Sequence, residues 1–218
     1  PLWVNKTWKE LVFVGVETPV HERTYKESAA ILARHLQQKR ITSTGIHLTH
    51  SVSARKQTQQ VVDCIEGMVL GAYRYQRYKS KPKKTDCLTH VTLFAPTSKT
   101  IQAALNQGLQ QARAQNIARD LANTPANFLT PKDVVGFVKQ QFAQRKQVDV
   151  CVYNQAALKK MKMGALLAVA QGSVEEPFLL EITLNASKKP PVILVGKGVT
   201  FDTGGISIKP SRSMADMK

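Results

Sequence analysis

Apolar residues recur at helical spacing in some segments of this chain and alternate or run together in others, and the two kinds of segment take turns. Residues 11–16, Leu-Val-Phe-Val-Gly-Val, read as a strand. Residues 24–38 place Ala29, Leu32, Ala33 and Leu36 on one helical face. A short strand is expected at 46–50. Residues 54–78 then space Val61, Val62, Ile65, Met68, Val69 and Ala72 at the period of a long amphipathic helix. Residues 88–94 alternate like a strand and stop before Pro96. Strand and helix in turn predict an α/β domain with a mostly parallel sheet.

Ile101, Ala104, Leu105, Leu109, Ala112, Ile117, Ala118 and Leu121 mark a further helix over 99–123, the natural connector between two domains. Thr130, Pro131 and Asp133 together make a helix start: a hydroxyl cap, a proline at the first position and a carboxylate at the third. Val134, Val135, Val138 and Phe142 mark the buried face of the helix they open. Strands are expected at 148–153 and 178–184, with a helix at 155–161 between them. Val192-Ile193-Leu194-Val195, bounded by Pro191 and Gly196, reads as a strand buried on both faces. The expected organisation is an N-terminal α/β domain at 1–98, a connecting helix at 99–123, and the start of an α/β catalytic domain at 124–218.

Composition adds one anomaly. Hydrophobic content of 43% with 21% charged residues is ordinary for a globular protein, but 31 Lys and Arg against 15 Asp and Glu leave a net charge of +16. The densest basic stretch runs from Arg74 to Lys84 with tyrosines interleaved. Such a stretch can grip phosphates and stack bases; it can equally be a solvated helix end, its cations favoured by the helix dipole. No segment approaches the roughly 18–20 apolar residues that span a bilayer, and the first residues lack the apolar run of a secretory signal. Cys64, Cys87 and Cys151 are odd in number and far apart, which suits free thiols in a reducing, cytoplasmic setting.

Candidate chemistry lies just after the apolar run 192–195. A glycine-punctuated loop carries Lys197, Asp202 and Lys209 to where open α/β sheets bind ligands, beyond the carboxyl ends of strands. A lysine that loses its proton there has a lone pair for a metal ion. A carboxylate has two oxygens and can bridge two divalent ions. A second ammonium can stabilise an oxyanion. A structural ion pair uses the same residues. Gly196-Lys197-Gly198 lacks the leading glycine and the hydroxyl of a phosphate-binding loop. No histidine lies near Ser207 or Ser211 to activate a nucleophile, and His47 and His50, three apart, lack a third ligand.

The stretch Val195-Gly196-Lys197-Gly198-Val199-Thr200-Phe201-Asp202-Thr203-Gly204-Gly205-Ile206-Ser207-Ile208-Lys209-Pro210 resembles the metal-binding segment of the leucine aminopeptidase (cytosol aminopeptidase) family. Residues 119–131, Arg-Asp-Leu-Ala-Asn-Thr-Pro-Ala-Asn-Phe-Leu-Thr-Pro, are similar to the opening of that family's catalytic domain, and residues 67–79 to a helix of its N-terminal domain. The resemblance implies a hydrolase that removes N-terminal residues from short peptides with two divalent ions, zinc or manganese. By position Lys197 would ligate one ion and Asp202 would bridge both. Lys209 would stabilise the tetrahedral intermediate, and Met217 would line the pocket for the departing side chain. A homohexamer is implied, as is a bicarbonate base held by an arginine.

The family's remaining ligands, an aspartate just past Lys218 and a later aspartate and glutamate, are not among these 218 residues. The expectation is therefore an N-terminal portion of an aminopeptidase, inactive and weakly metal-binding alone, with no membrane partner. Two other readings compete with it: a basic DNA-binding or architectural module, and a non-catalytic paralogue.

Overall fold

The computed structural model describes residues 2–4, 7–9, 12, 14, 23–48, 54–81, 88–95, 98–185 and 190–214. The chain divides into two compact units, Pro1–Asp120 and Leu121–Lys218. No helix among the described residues is long and apolar enough to cross a membrane.

The first unit opens with an antiparallel pair, β1 (Leu2–Val4) and β2 (Thr7–Lys9). The strand expected at 11–16 lies largely outside the described residues. Helix α1 occupies Thr24–Gln38, as its periodicity requires, and buries Ala29, Ala33 and Leu36. Strand β3 (Ser43–His47) pairs in parallel with β4 (His90–Phe94), from Ser43 opposite His90 to His47 opposite Phe94. Helix α2 (Ala54–Gly71) lies between them in sequence and supplies the long crossover that a parallel pair needs. Strand β3 begins three residues earlier than its apolar run suggested. Its start is set by the neighbouring strand: the amides of Thr89 and His90 both donate to the Thr42 carbonyl.

Helices α1 and α2 meet along small residues. A Cβ added to Gly67 would lie 2.1 Å from the Lys26 carbonyl oxygen, and one added to Gly71 would lie 2.5 Å from that of Ala30. Hydrogen atoms at these two positions let the backbones touch. Ala29, Ala33, Leu36, Ile46, Cys64 and Met68 form one buried cluster beside this seam. Val61, Val62 and Ile65 on α2 form a second with Ala104 of helix α3 (Lys99–Asn123). A fully buried side chain the size of Met68 contributes about 1.5–3 kcal/mol. At the rim, Lys26 Nζ lies 2.6 Å from Glu66 Oε2.

The periodicity of α2 continues to residue 78, but the helix stops at Gly71. Gln37 Nε2 donates to the Ala72 carbonyl at 2.6 Å and Arg74 Nε donates to Gln37 Oε1 at 3.2 Å, so the chain leaving α2 is held by the end of α1. The basic stretch is therefore not a helix end. In it the Tyr75 and Tyr78 rings lie 6.3 Å apart, with the Arg77 guanidinium 5.9 Å from the Tyr78 ring centre. On α3, Arg119 Nη1 donates to the Leu70 carbonyl at 3.0 Å and its guanidinium lies 5.2 Å from the Tyr73 ring centre.

The second unit begins with a short 3-10 turn (Ala126–Phe128) and α4 (Pro131–Phe142). The start signal forms a complete capping box: the Thr130 side chain accepts from the Asp133 amide, while Asp133 accepts from the Thr130 amide. Strands β5 (Val148–Tyr153) and β6 (Leu179–Leu184) pair antiparallel, from Val148 opposite Leu184 to Tyr153 opposite Leu179. Between them lie α5 (Gln155–Lys160), capped by Asn154, and α6 (Gly164–Ala170), which the sequence reading did not separate. Leu158 and Thr124 are fully buried. A last short helix, α7, spans Ser211–Met214.

One expectation fails here. Residues 192–195 form no strand and are not buried: Val192, Ile193, Leu194 and Val195 are 88%, 78%, 91% and 94% exposed. An interior strand is held by hydrogen bonds to strands beside it and by cover on both faces, and the described residues provide it with neither.

Candidate functional site

The site is built on the loop that follows this exposed run. Asp202 Oδ1 accepts from the Gly204 amide at 2.8 Å, an aspartate-led turn that reverses the chain immediately. Gly204 and Gly205 take positive φ angles of 88° and 63°, which a side chain at either position would resist. At Gly204 space is short as well, because an added Cβ would lie 2.2 Å from the Ser207 carbonyl oxygen. The Lys209 amide then donates to the Thr203 carbonyl at 2.9 Å and closes the loop.

This closure brings two of the sequence candidates together. Lys209 Nζ lies 2.6 Å from Asp202 Oδ2 in a charge-assisted hydrogen bond, with the aspartate side chain 42% exposed and the lysine 18%. The Lys209 hydrogen bond and then the Gly204 amide hold the Asp202 carboxyl below its ordinary pKa, and the Lys209 and Lys197 charges add to the effect. Lys197 is itself exposed and acts on Asp202 through charge. Met217 lies outside the described residues. His47 sits on β3, and His50 lies outside the described residues.

Asp202 thus has one oxygen on a backbone amide and the other on an ammonium. Among the described residues no three His, Cys, Asp or Glu side chains gather where they could hold a metal ion. Lys197 and Asp202 supply two protein donors, whereas a catalytic zinc ordinarily takes about three. Two such donors fall short of a whole metal site. The sequence reading allowed a structural ion pair among these residues, and the pair that forms is Lys209 with Asp202; the part Thr203 plays in it was missed. The Asp-Thr-Gly spacing, which signals an aspartate-led turn, was the available clue.

Residues 4–82 match the N-terminal domain of the Cytosol aminopeptidase family, and residues 116–218 match its catalytic domain. A probable cytosol aminopeptidase of Alkalilimnicola ehrlichii is 37% identical over 217 residues, covering 95% of this chain and 43% of its own length. One of Halorhodospira halophila is 38% identical over 216 residues, with 95% and 43% coverage. The chain thus spans a little under half the length of the curated relatives it matches. Among solved structures, the bottromycin maturation enzyme BotP in complex with Mn superposes with a TM-score of 0.72 at 33% identity, covering 89% of this chain and 40% of that one. A tomato leucine aminopeptidase mutant shares the fold, with a TM-score of 0.77 at 24% identity over 87% of this chain and 38% of that one. Matches to the family's N-terminal and catalytic domains, in that order, with relatives aligned along nearly the whole sequence, establish that the chain belongs to the cytosol aminopeptidase family.

Proposed function

We propose that the chain is part of an aminopeptidase that removes N-terminal residues from short peptides with the help of two divalent metal ions. The observation that carries this reading is the loop 196–210, which turns on Gly204 and Gly205 to put the Asp202 carboxylate, the Lys209 ammonium and the Lys197 charge in one neighbourhood. Asp202, and Lys197 once its amine has given up its proton, would hold the ions. Such ions polarise a scissile carbonyl as Lewis acids. Lys209, now paired with Asp202, is the cation placed to balance negative charge developing on the carbonyl oxygen. The manganese named with BotP supports a divalent ion, and the choice between zinc and manganese, together with a bicarbonate base and homohexameric assembly, belongs to the same proposal.

With Lys197 and Asp202 as its two donors, the chain by itself is expected to bind metal weakly and to hydrolyse nothing. Equilibrium dialysis against micromolar zinc or manganese tests this: weak uptake that disappears in Asp202→Asn is expected, and tight binding of two ions by the chain alone overturns it. Fusing residues 1–218 to the remaining part of the Alkalilimnicola ehrlichii relative tests the activity. Hydrolysis of a leucine amide that is lost on Asp202→Asn supports the reading; hydrolysis indifferent to that change sinks the assignment of Asp202.

A further inference from the structure

The first unit carries a cleft that the peptidase reading leaves without a role. It has a volume of about 460 Å³ and is lined by α1, α2 and α3. One wall presents Arg23, just ahead of α1, with Lys26, Glu27, Ala30 and Arg34 of α1, and the α3 wall presents Gln115 and Arg119. Positions 23, 27, 30 and 34 repeat every three or four residues, so one stripe of α1 faces the cleft. Four cations and one carboxylate line this space. Two of the cations are already engaged: Lys26 pairs with Glu66, and Arg119 donates to the Leu70 carbonyl and to Asn116 Oδ1. Arg119 still has further guanidinium donors to offer. Among the described residues, neither Arg23 nor Arg34 has a carboxylate within ion-pair distance.

Volume and charge together favour a small anion. Ligand cavities run from about 300 to 1,000 Å³, the range into which this cleft falls. Guanidinium groups suit phosphate because their planar fork donates two parallel hydrogen bonds to one group. Arg23 and Arg34 are eleven residues apart, or roughly 16 Å along the helix axis, and each reaches toward the cleft from one end of the stripe. An anion with more than one phosphate group meets that spacing better than a single carboxylate does. We propose that this cleft binds a small anion carrying more than one phosphate group, held by Arg23, Arg34 and Arg119 against the opposing charge of Glu27. This is independent of the loop 196–210.

The experiment is calorimetric titration of the chain with inorganic pyrophosphate and with ADP, repeated on Arg34→Gln, Arg23→Gln and Glu27→Gln and in the presence of duplex DNA. Losing one charged hydrogen-bond donor weakens affinity about tenfold or more, so both arginine variants are expected to bind that much less tightly. Glu27→Gln removes the carboxylate that repels the anion and is expected to bind more tightly. Circular dichroism of each variant separates lost binding from lost folding. Unchanged affinity in folded Arg23→Gln and Arg34→Gln overturns the proposal, as does weaker binding in Glu27→Gln. Duplex DNA that binds more tightly than pyrophosphate and depends on the same arginines also overturns it, in favour of nucleic acid.

Discussion

Lys209 Nζ and Asp202 Oδ2, seven positions apart in sequence, meet at 2.6 Å, and the Gly204 amide donates to the other carboxylate oxygen. The Lys209 hydrogen bond, and then the Gly204 amide, stabilise the ionised carboxylate, which holds the Asp202 pKa below the ordinary aspartate value. Carbon-detected NMR of the Asp202 carboxyl is expected to give a midpoint under that value. Lys209→Met is expected to move it upward and Gly204→Ala to disorder the loop. A midpoint unmoved in Lys209→Met would mean that the pair does not form in solution.

Gly67 and Gly136 make opposite predictions for the same change. Gly67→Ala forces a methyl to within 2.1 Å of the Lys26 carbonyl oxygen, so α1 and α2 must separate. Overpacking of this kind costs about 1–3 kcal/mol. Gly136, within α4, has nothing within 4 Å of an added Cβ, so Gly136→Ala gains helix propensity of about 1 kcal/mol. Thermal unfolding is expected to show a lower midpoint for the first and a higher one for the second.

The cap of α4 confers a pH dependence with a definite sign. The Thr130 side chain and backbone hydrogen bonds, in that order, hold Asp133 below its ordinary 3.8. Its folded pKa is depressed, so its contribution to stability is present above pH 3.8 and is lost as pH falls through the lower folded value. Thr130→Ala removes one cap and is expected to cost about 1 kcal/mol near neutrality. Urea unfolding of Asp133→Asn between pH 2 and 6 is expected to vary less with pH than that of the parent; an identical slope would count against the cap.

Cys64 and Cys151 differ in reactivity. Burial, and secondarily the charge of Asp63, push the Cys64 thiol up to about 11, while Cys151 is exposed on β5. The thiolate is the reacting form. Iodoacetamide at pH 8 followed by peptide mass mapping is expected to label Cys151 well before Cys64. Equal rates would show that the α1–α2 core opens readily.

The sequence alone determined whatever depends on near neighbours. Helix α1, helix α3 and strand β5 fall where their periodicities put them, because each pattern is local and its period identifies the buried face. The Thr130–Pro131–Asp133 start is likewise a contact over three residues, and the two lysines and the aspartate of the loop could be named from type and spacing. Tertiary structure decided the rest. Helix α2 ends at Gly71 because Gln37, more than thirty residues away in sequence, takes the carbonyl of Ala72. Residues 192–195 have the composition of an interior strand and yet lie exposed, since a strand is completed by hydrogen bonds to other strands and its own residues cannot supply them. The pairing of Lys209 with Asp202 rests on two positive φ angles, and backbone dihedrals at glycine follow from how a loop closes.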